Sequence, residues 1–340
     1  AFVGAPHACA VSNCTTALHL ALLVAGVGPG DEVVTVSHSY IATANAVSYC
    51  GATPVFVDIE PGGFNIDPAL AEAAITARTR AILAVHQLGM PCDLAALVGI
   101  SRRRGVPLIE DAACASGSAI LWDGRWERIG RPHGDVACFS FHPRKVVSTG
   151  DGGMLTTRHA DWDARFRLLR QHAMSVPDTV RHASSQVIFE SHPAVGFNYR
   201  MTDIQAAVGR EQLRRLPQIV PARRRLAERY REILGRLAPA VGPPEEPDYA
   251  RSNWQSYCVR LPEGRDQRAV MQALLDAGVA SRRGVMCAHR EAAYAAAERR
   301  FPLPRSEAAQ DRCIILPLFP QMGEPEVDSV AAALAAAVAS

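Results

Sequence analysis

The chain contains no closely paired CxxC, no HExxH and no uninterrupted apolar run long enough to span a membrane, and its charges nearly balance. Each absence removes a class of function. Without paired thiols or two histidines at helical spacing, no metal site is expected. The alanine-rich apolar stretches are broken by charges or turn residues, so no membrane partner is expected. A formal net charge of +2 gives no bulk attraction to nucleic acid, and none is expected as a partner. The nine cysteines are scattered and odd in number (Cys9, Cys14, Cys50, Cys92, Cys114, Cys138, Cys258, Cys287 and Cys313), which argues against a disulfide framework. They read as reduced, mostly buried small apolar residues of a cytoplasmic protein. No internal repeat is apparent, and the biased AAALAAAVA run near the end suits a helix.

What is present is an alternation of strand and helix. Strand-like runs occur at Ala8–Val11, Glu32–Val36, Thr53–Val57, Ala81–Val85 and Val106–Ile109. Helical patterns at Pro68–Ile75 and Leu94–Arg103 separate some of them, so an α/β fold is expected, with a mostly parallel sheet flanked by helices. At 340 residues the chain exceeds the usual single core of about 250–300 residues, so a smaller domain should follow the large one. After a basic helical stretch, Arg223–Leu237, comes the linker VGPPEEPDY, which places the boundary between Leu216 and Pro247. The division adopted is a large domain over 1–220 and a small α+β domain over 221–340. In the latter, Trp254–Leu261 reads as a strand, Asp266–Ala277 as a helix and the residues from Pro325 as a helix. Arg223-Arg224-Arg225 and Arg102-Arg103-Arg104 read as solvated helix faces.

Three segments carry chemistry. Lys145, in FSFHPRKVVSTGDGG, is a lone lysine in a mostly apolar run closed by glycines. Desolvation there should disfavour its ammonium form and leave an amine able to attack a carbonyl. In VPLIEDAACASGS a buried strand ends at Glu110-Asp111, and open α/β sheets bind ligands just beyond such strand ends. A carboxylate beside an aldimine-forming lysine suggests pyridoxal phosphate, whose ring nitrogen must stay protonated for the cofactor to act as an electron sink. Finally, ACAVSNCTTALHLAL runs from a strand into a helix, and Ser12, Thr15 or Thr16 hydroxyls beside the free amides of a helix N-terminus make an anion site.

With these residues in place, the chain resembles the DegT/DnrJ/EryC1/StrS family of pyridoxal phosphate-dependent sugar aminotransferases. The resemblance runs nearly end to end, through SNCTTALHLAL, SYIATANAV, GATPVFVDIE, VHQLGMPCDL, IEDAACASGS, SFHPRK with TGDGG, and GFNYRMTDIQAAVG. It implies an aspartate aminotransferase-like fold of type I and gives several residues a role. Lys145 would carry the cofactor as a Schiff base, Asp111 would bind the pyridine nitrogen, and Tyr40 would stack on the ring. Ser140, the backbone of Cys14 and the side chain of Thr15 would hold the phosphate. Asn198 would reach the phosphate of a neighbouring subunit, which implies a homodimer with shared active sites. Two features depart from the family pattern. Cys114 stands where Gln or His is common near the phenolic oxygen, and a thiol is only a weak donor. Family members also carry sequence upstream of the point matching Ala1, so an N-terminal segment is expected to be missing.

The resemblance further implies an amino donor, usually glutamate, and a nucleotide-linked keto deoxysugar as acceptor. Arg283 and His289, in SRRGVMCAHREAAY, lie in a stretch similar to one near the substrate in sugar aminotransferases. Lysine at position 145 favours aminotransfer over dehydration, because the family's dehydratases have histidine there. The same pocket residues would also serve a lyase, an aminotransferase for a non-sugar ketone, or a non-catalytic regulator that binds the cofactor.

Overall fold

The computed structural model describes residues 1–176, 178–296 and 299–339. Its first part winds through β1 (His7–Val11), α1 (Cys14–Val24), β2 (Glu32–Val36), α2 (Ala42–Tyr49), β3 (Thr53–Val57), α3 (Pro68–Ala74), β4 (Thr79–Val85), α4 (Leu94–Arg104) and β5 (Leu108–Asp111). A β6 (Ala119–Trp122) and β7 (Arg125–Arg128) hairpin follows, then β8 (Val136–Ser140), β9 (Gly153–Thr157), α5 (Ala160–Leu169) and α6 (Asp178–Ala183). The remainder comprises α7 (Asp203–Leu237), β10 (Ala250–Arg251), β11 (Tyr257–Arg260), α8 (Gln267–Asp276), β12 (Arg282–Arg283), α9 (Pro304–Arg312), β13 (Cys313–Leu316) and α10 (Glu324–Ala339).

Seven strands form the main sheet in the order β1-β9-β8-β5-β4-β2-β3. Five neighbours, β3 through β8, are parallel, and β9 alone runs against the rest. Because successive strand residues face opposite sides, the sequence can fill two cores from one sheet. Val33, Ala81, Leu83 and Ile109 meet Leu18, Leu22, Val47 and Phe166 of α1, α2 and α5 on one face. Val34, Ile82, Ala84 and Leu108 meet Ala71, Leu94 and Leu97 of α3 and α4 on the other. Strands covered on both faces read as continuous apolar runs, and this makes β2, β3 and β4 legible in sequence.

The C-terminal core gathers Leu226, Tyr230, Ile233 and Leu234 of α7 against β11, β13, α8 and α10. The Tyr230 and Tyr257 rings stack with centroids 4.8 Å apart, and the Tyr230 hydroxyl donates to the Pro317 carbonyl at 2.8 Å. Two expectations change here. The basic stretch expected at Arg223–Leu237 is the second half of one 35-residue helix that continues through Pro217 and Pro221, so the division expected at 220/221 falls inside α7. Trp254 lies outside any strand, at φ 52°, and β11 begins only at Tyr257.

The basic clusters also separate. Arg103 and Arg104 are exposed and pair with Glu72, as a solvated face would. Arg223, by contrast, is buried and donates from Nε to Trp254 C=O at 2.7 Å and from Nη2 to Gln255 C=O at 2.8 Å. Its neighbours in sequence, Arg224 and Arg225, gave no sign of this, because the partners come from a distant loop. No helix among the described residues is long and apolar enough to cross a membrane.

Candidate active site

The C-terminal ends of β1, β5 and β8 point to one edge of the sheet, where Cys14, Asp111 and Lys145 come within electrostatic reach of one another. Asn13 caps α1, with its side chain accepting the Thr16 N–H at 2.9 Å and its carbonyl accepting the Ala17 N–H. Of the four amides a helix start leaves without intrahelical acceptors, those of Cys14 and Thr15 therefore still point outward with the helix dipole behind them. β9 begins directly beneath this turn. A Cβ on Gly153 would sit 2.5 Å from the Asn13 carbonyl, so only glycine lets the strand pass so close.

Asp111, the last residue of β5, is buried and held on both oxygens. Thr43 of α2 donates to Oδ2 at 2.9 Å, and the Ala113 amide donates to Oδ1 at 3.1 Å. Burial pushes its carboxyl above the ordinary aspartate range, although the Ala113 and Thr43 donors and the nearby Lys145 charge oppose that shift. A carboxylate in this state is stabilised by a cation brought against it. Thr43 had no role in the sequence reading, though it lies three residues after Tyr40 in the same SYIATANAV segment. The Cys14 thiol turns inward, 3.4 Å from the Cys138 carbonyl, and burial drives its pKa far up. The same thiol lies 4.0 Å from Asp111 Oδ1.

Lys145 is half-buried, and its Nζ lies 3.0 Å from Cys114 Sγ. The expectation of a disfavoured ammonium is corrected by these neighbours. Burial lowers the lysine pKa, but the Cys114 sulfur, Asp111 and Cys14 outweigh it and set the amine above its ordinary value. Ser140 ends β8 and is buried, with the His142 amide 3.4 Å from its hydroxyl. Tyr40 is 65% exposed, so its ring does not fill the sheet face. Asn198 is exposed, bridged through its backbone to Gln171. It precedes Tyr199, whose carbonyl accepts the Ser12 amide at 2.7 Å.

His289 and Arg283 sit apart from this group in their hydrogen bonding. His289 is buried, with Nδ1 2.6 Å from Ser37 Oγ and Nε2 3.0 Å from Glu307 Oε1. Arg283 is exposed on β12, paired through its backbone with Ile314 of β13.

The family model of the DegT/DnrJ/EryC1/StrS aminotransferases matches residues 1–335. The chain belongs to this family. It is 42% identical to GDP-perosamine synthase from Caulobacter vibrioides over 337 residues, covering 98% of this chain and 86% of that one. Its fold superposes on DesI, solved in the presence of its TDP-sugar product, with a TM-score of 0.86 and 33% identity, covering 99% of this chain and 82% of DesI. The sugar aminotransferase CalS13 from Micromonospora echinospora gives a TM-score of 0.86 at 27% identity, covering 98% and 88% of the two chains. The DegT-family chain is thus a fold type I, pyridoxal phosphate-dependent aminotransferase. The donor set of its crevice fits that cofactor: a lysine amine, a buried carboxylate with raised pKa, and outward amides at the start of α1.

Proposed function

We propose that this aminotransferase moves an amino group from glutamate to a keto carbon of a nucleotide-linked deoxysugar. The observation that carries the reading is the meeting of Lys145, Asp111 and the α1 N-terminus at one edge of the sheet. The acceptor class rests on the relatives: a synthase named for a GDP-linked product and an aminotransferase solved with its TDP-sugar product.

When bound, pyridoxal phosphate supplies an electron sink that makes the carbon bearing the amino group acidic. The chain does the rest. The Cys14 and Thr15 amides, with the Thr15 and Ser140 hydroxyls, hold the phosphate, and Asp111, oriented by Thr43 and Ala113, keeps the ring nitrogen protonated. Tyr40 covers the ring. Lys145 Nζ would hold the cofactor between turnovers and, once released, would take up the proton lost by the donor carbon and deliver it onward, serving the acceptor in the reverse sense. Cys114, whose Sγ lies 3.0 Å from Lys145 Nζ, would stand near the phenolic oxygen by resemblance and would offer only a weak donor there. Resemblance alone would assign Arg283 and His289 to the substrate side, but the bonds that engage both ring nitrogens of His289 favour a structural role for it.

A second copy of the chain completes the site in this reading. Val187, Phe189, Val195 and Ile204 flank Asn198 and are 80–91% exposed, an apolar surface that a homodimer would cover. Mixing tagged Lys145→Ala and Asn198→Asp chains should restore part of the activity, since one site of each mixed dimer regains both residues. Nine free thiols suit a reducing cytoplasm. In functional terms residues 1–220 supply the cofactor groups, and 221–340 contain the residues that resemblance would place on the substrate side.

Glutamate alone tests the first half-reaction. The yellow holoenzyme should bleach to the pyridoxamine form with release of 2-oxoglutarate, and a panel of nucleotide-linked keto sugars should restore the colour only with a true acceptor. A holoenzyme that stays yellow with glutamate and every other amino acid would reduce the protein to a cofactor-binding regulator.

A further inference from the structure

The backbone around Lys145 is gripped by a side chain more than a hundred residues away. Gln255 Oε1 accepts the Val146 N–H at 3.0 Å, and its Nε2 donates to the Arg144 carbonyl at 2.8 Å. These belong to the two peptide planes that bracket the Lys145 Cα. Because each plane is rigid, turning φ or ψ of residue 145 must swing one of them and break one of these bonds. An amide side chain is suited to this task, since it offers one acceptor and one donor group from a single planar head.

The clamp is itself held from two sides. The Gln255 amide donates to Asn253 Oδ1 at 2.8 Å, while the Gln255 carbonyl accepts from buried Arg223 at 2.8 Å. Arg223 also takes the carbonyl of Trp254, a residue in the left-handed region at φ 52°. Asn253 Nδ2 in turn donates to the carbonyls of Cys114 and Ser116 at 2.8 and 2.9 Å. One short segment therefore fixes the backbones of both Lys145 and Cys114, whose Nζ and Sγ lie 3.0 Å apart.

We infer that Gln255 is a positioning residue for the Lys145 amine, braced by Arg223 and Asn253. The inference rests on the proposed role of Lys145 and adds to it the device that aims the amine. Loss of the clamp should slow proton transfer, which depends on placement, more than it weakens substrate binding.

The test uses the holoenzyme and its Gln255→Ala and Gln255→Leu variants, the second keeping the side-chain volume if the first folds poorly. The expected result is a fall in kcat of about ten- to a hundredfold, with KM for glutamate within about threefold. The pH midpoint of the cofactor's visible band should also move by about half a unit or more, because the amine sits differently among its neighbours. Arg229→Ala, on α7 with Arg223 and paired with Asp328, should change thermal stability and leave that midpoint unmoved. Borohydride trapping with peptide mapping separates the two ways of failing. Fixation of the cofactor at another lysine would overturn the Lys145 assignment and this inference together. Fixation at Lys145 with parental kcat and midpoint in both variants, or with a lowered Tm alone, would overturn only the role of Gln255.

Discussion

Two clusters in this molecule use the same kinds of side chain, and they differ in whether their hydrogen bonds close on themselves. Around His289, Ser37 takes one ring nitrogen and Glu307 the other, while Arg290 pairs with Glu307 and Asp311. That cluster ties the end of β2 to the segment ahead of α9 and has little bonding capacity left. At the Lys145 crevice, two helix amides point outward, a buried carboxyl is held above its ordinary pKa, and an amine has a single sulfur partner. The residue types are alike, so type alone does not distinguish a strut from a site. What distinguishes them is unspent polar capacity gathered where a ligand can reach it.

The largest expected effect lies in the crevice. Lys145→Ala should lower turnover by about a thousandfold or more, the upper range for a lost proton-transfer group, while cofactor still binds through the phosphate and Tm changes little. Borohydride should then fix no cofactor to the chain. Asp111→Asn removes one charge-assisted bond of about 1.5–3 kcal/mol, so kcat should drop roughly ten- to a hundredfold with the fold intact. A near-parental rate in that variant would take Asp111 out of the site and erase half of the contrast.

The neighbourhood of the strut gives smaller effects, on stability. His38 is wholly buried against the Phe64 ring, and burial pulls its pKa down from 6.5 to about 4. The unfolded chain takes up this proton first, so the stability present above pH 6.5 is lost as pH falls toward 4. Between pH 7 and pH 5 the loss should be about 2 kcal/mol, measured by urea unfolding, and His38→Leu should remove that slope. His289→Ala deletes two hydrogen bonds and should cost about 1–2 kcal/mol with KM for the keto sugar nearly unchanged. A tenfold rise in KM at parental stability would make the strut a substrate site after all.

The sheet was largely legible from sequence because its strands are covered on both faces. Glu32–Val36 and Thr53–Val57 coincide with β2 and β3, and Asp111 stands at a strand end as read. The errors came where a residue's role depends on partners far along the chain. Arg223 sits in a run of three arginines, a pattern that normally marks a wet helix face, yet it is buried by carbonyls supplied from residues 254 and 255. Trp254 belongs to a segment of strand-like composition, but the bonds its neighbours make to Cys114, Ser116 and Arg223 force a turn there. The raised pKa of Lys145 follows from the approach of Cys114, 31 residues away. None of these contacts leaves a periodicity or a spacing to read.

A helix of 35 residues at 1.5 Å each is a beam about 52 Å long. Near its start α7 braces the loop after Lys145, where Gln205 donates to the Asp151 carbonyl, and near its end it is embedded in the C-terminal core. A load applied at either end is carried to the other. The compliant point is fixed by chemistry: Pro217 and Pro221 have no N–H, so the carbonyls four residues before each lack their usual donor. Directly against that stretch, Gly117 leaves so little room that a Cβ would lie 2.8 Å from Val220. The joint in the beam is therefore seated both against the loop that follows Asp111 and against Val146 and Val147 beside the lysine, so any flexing of the C-terminal half reaches the two ends of the crevice together.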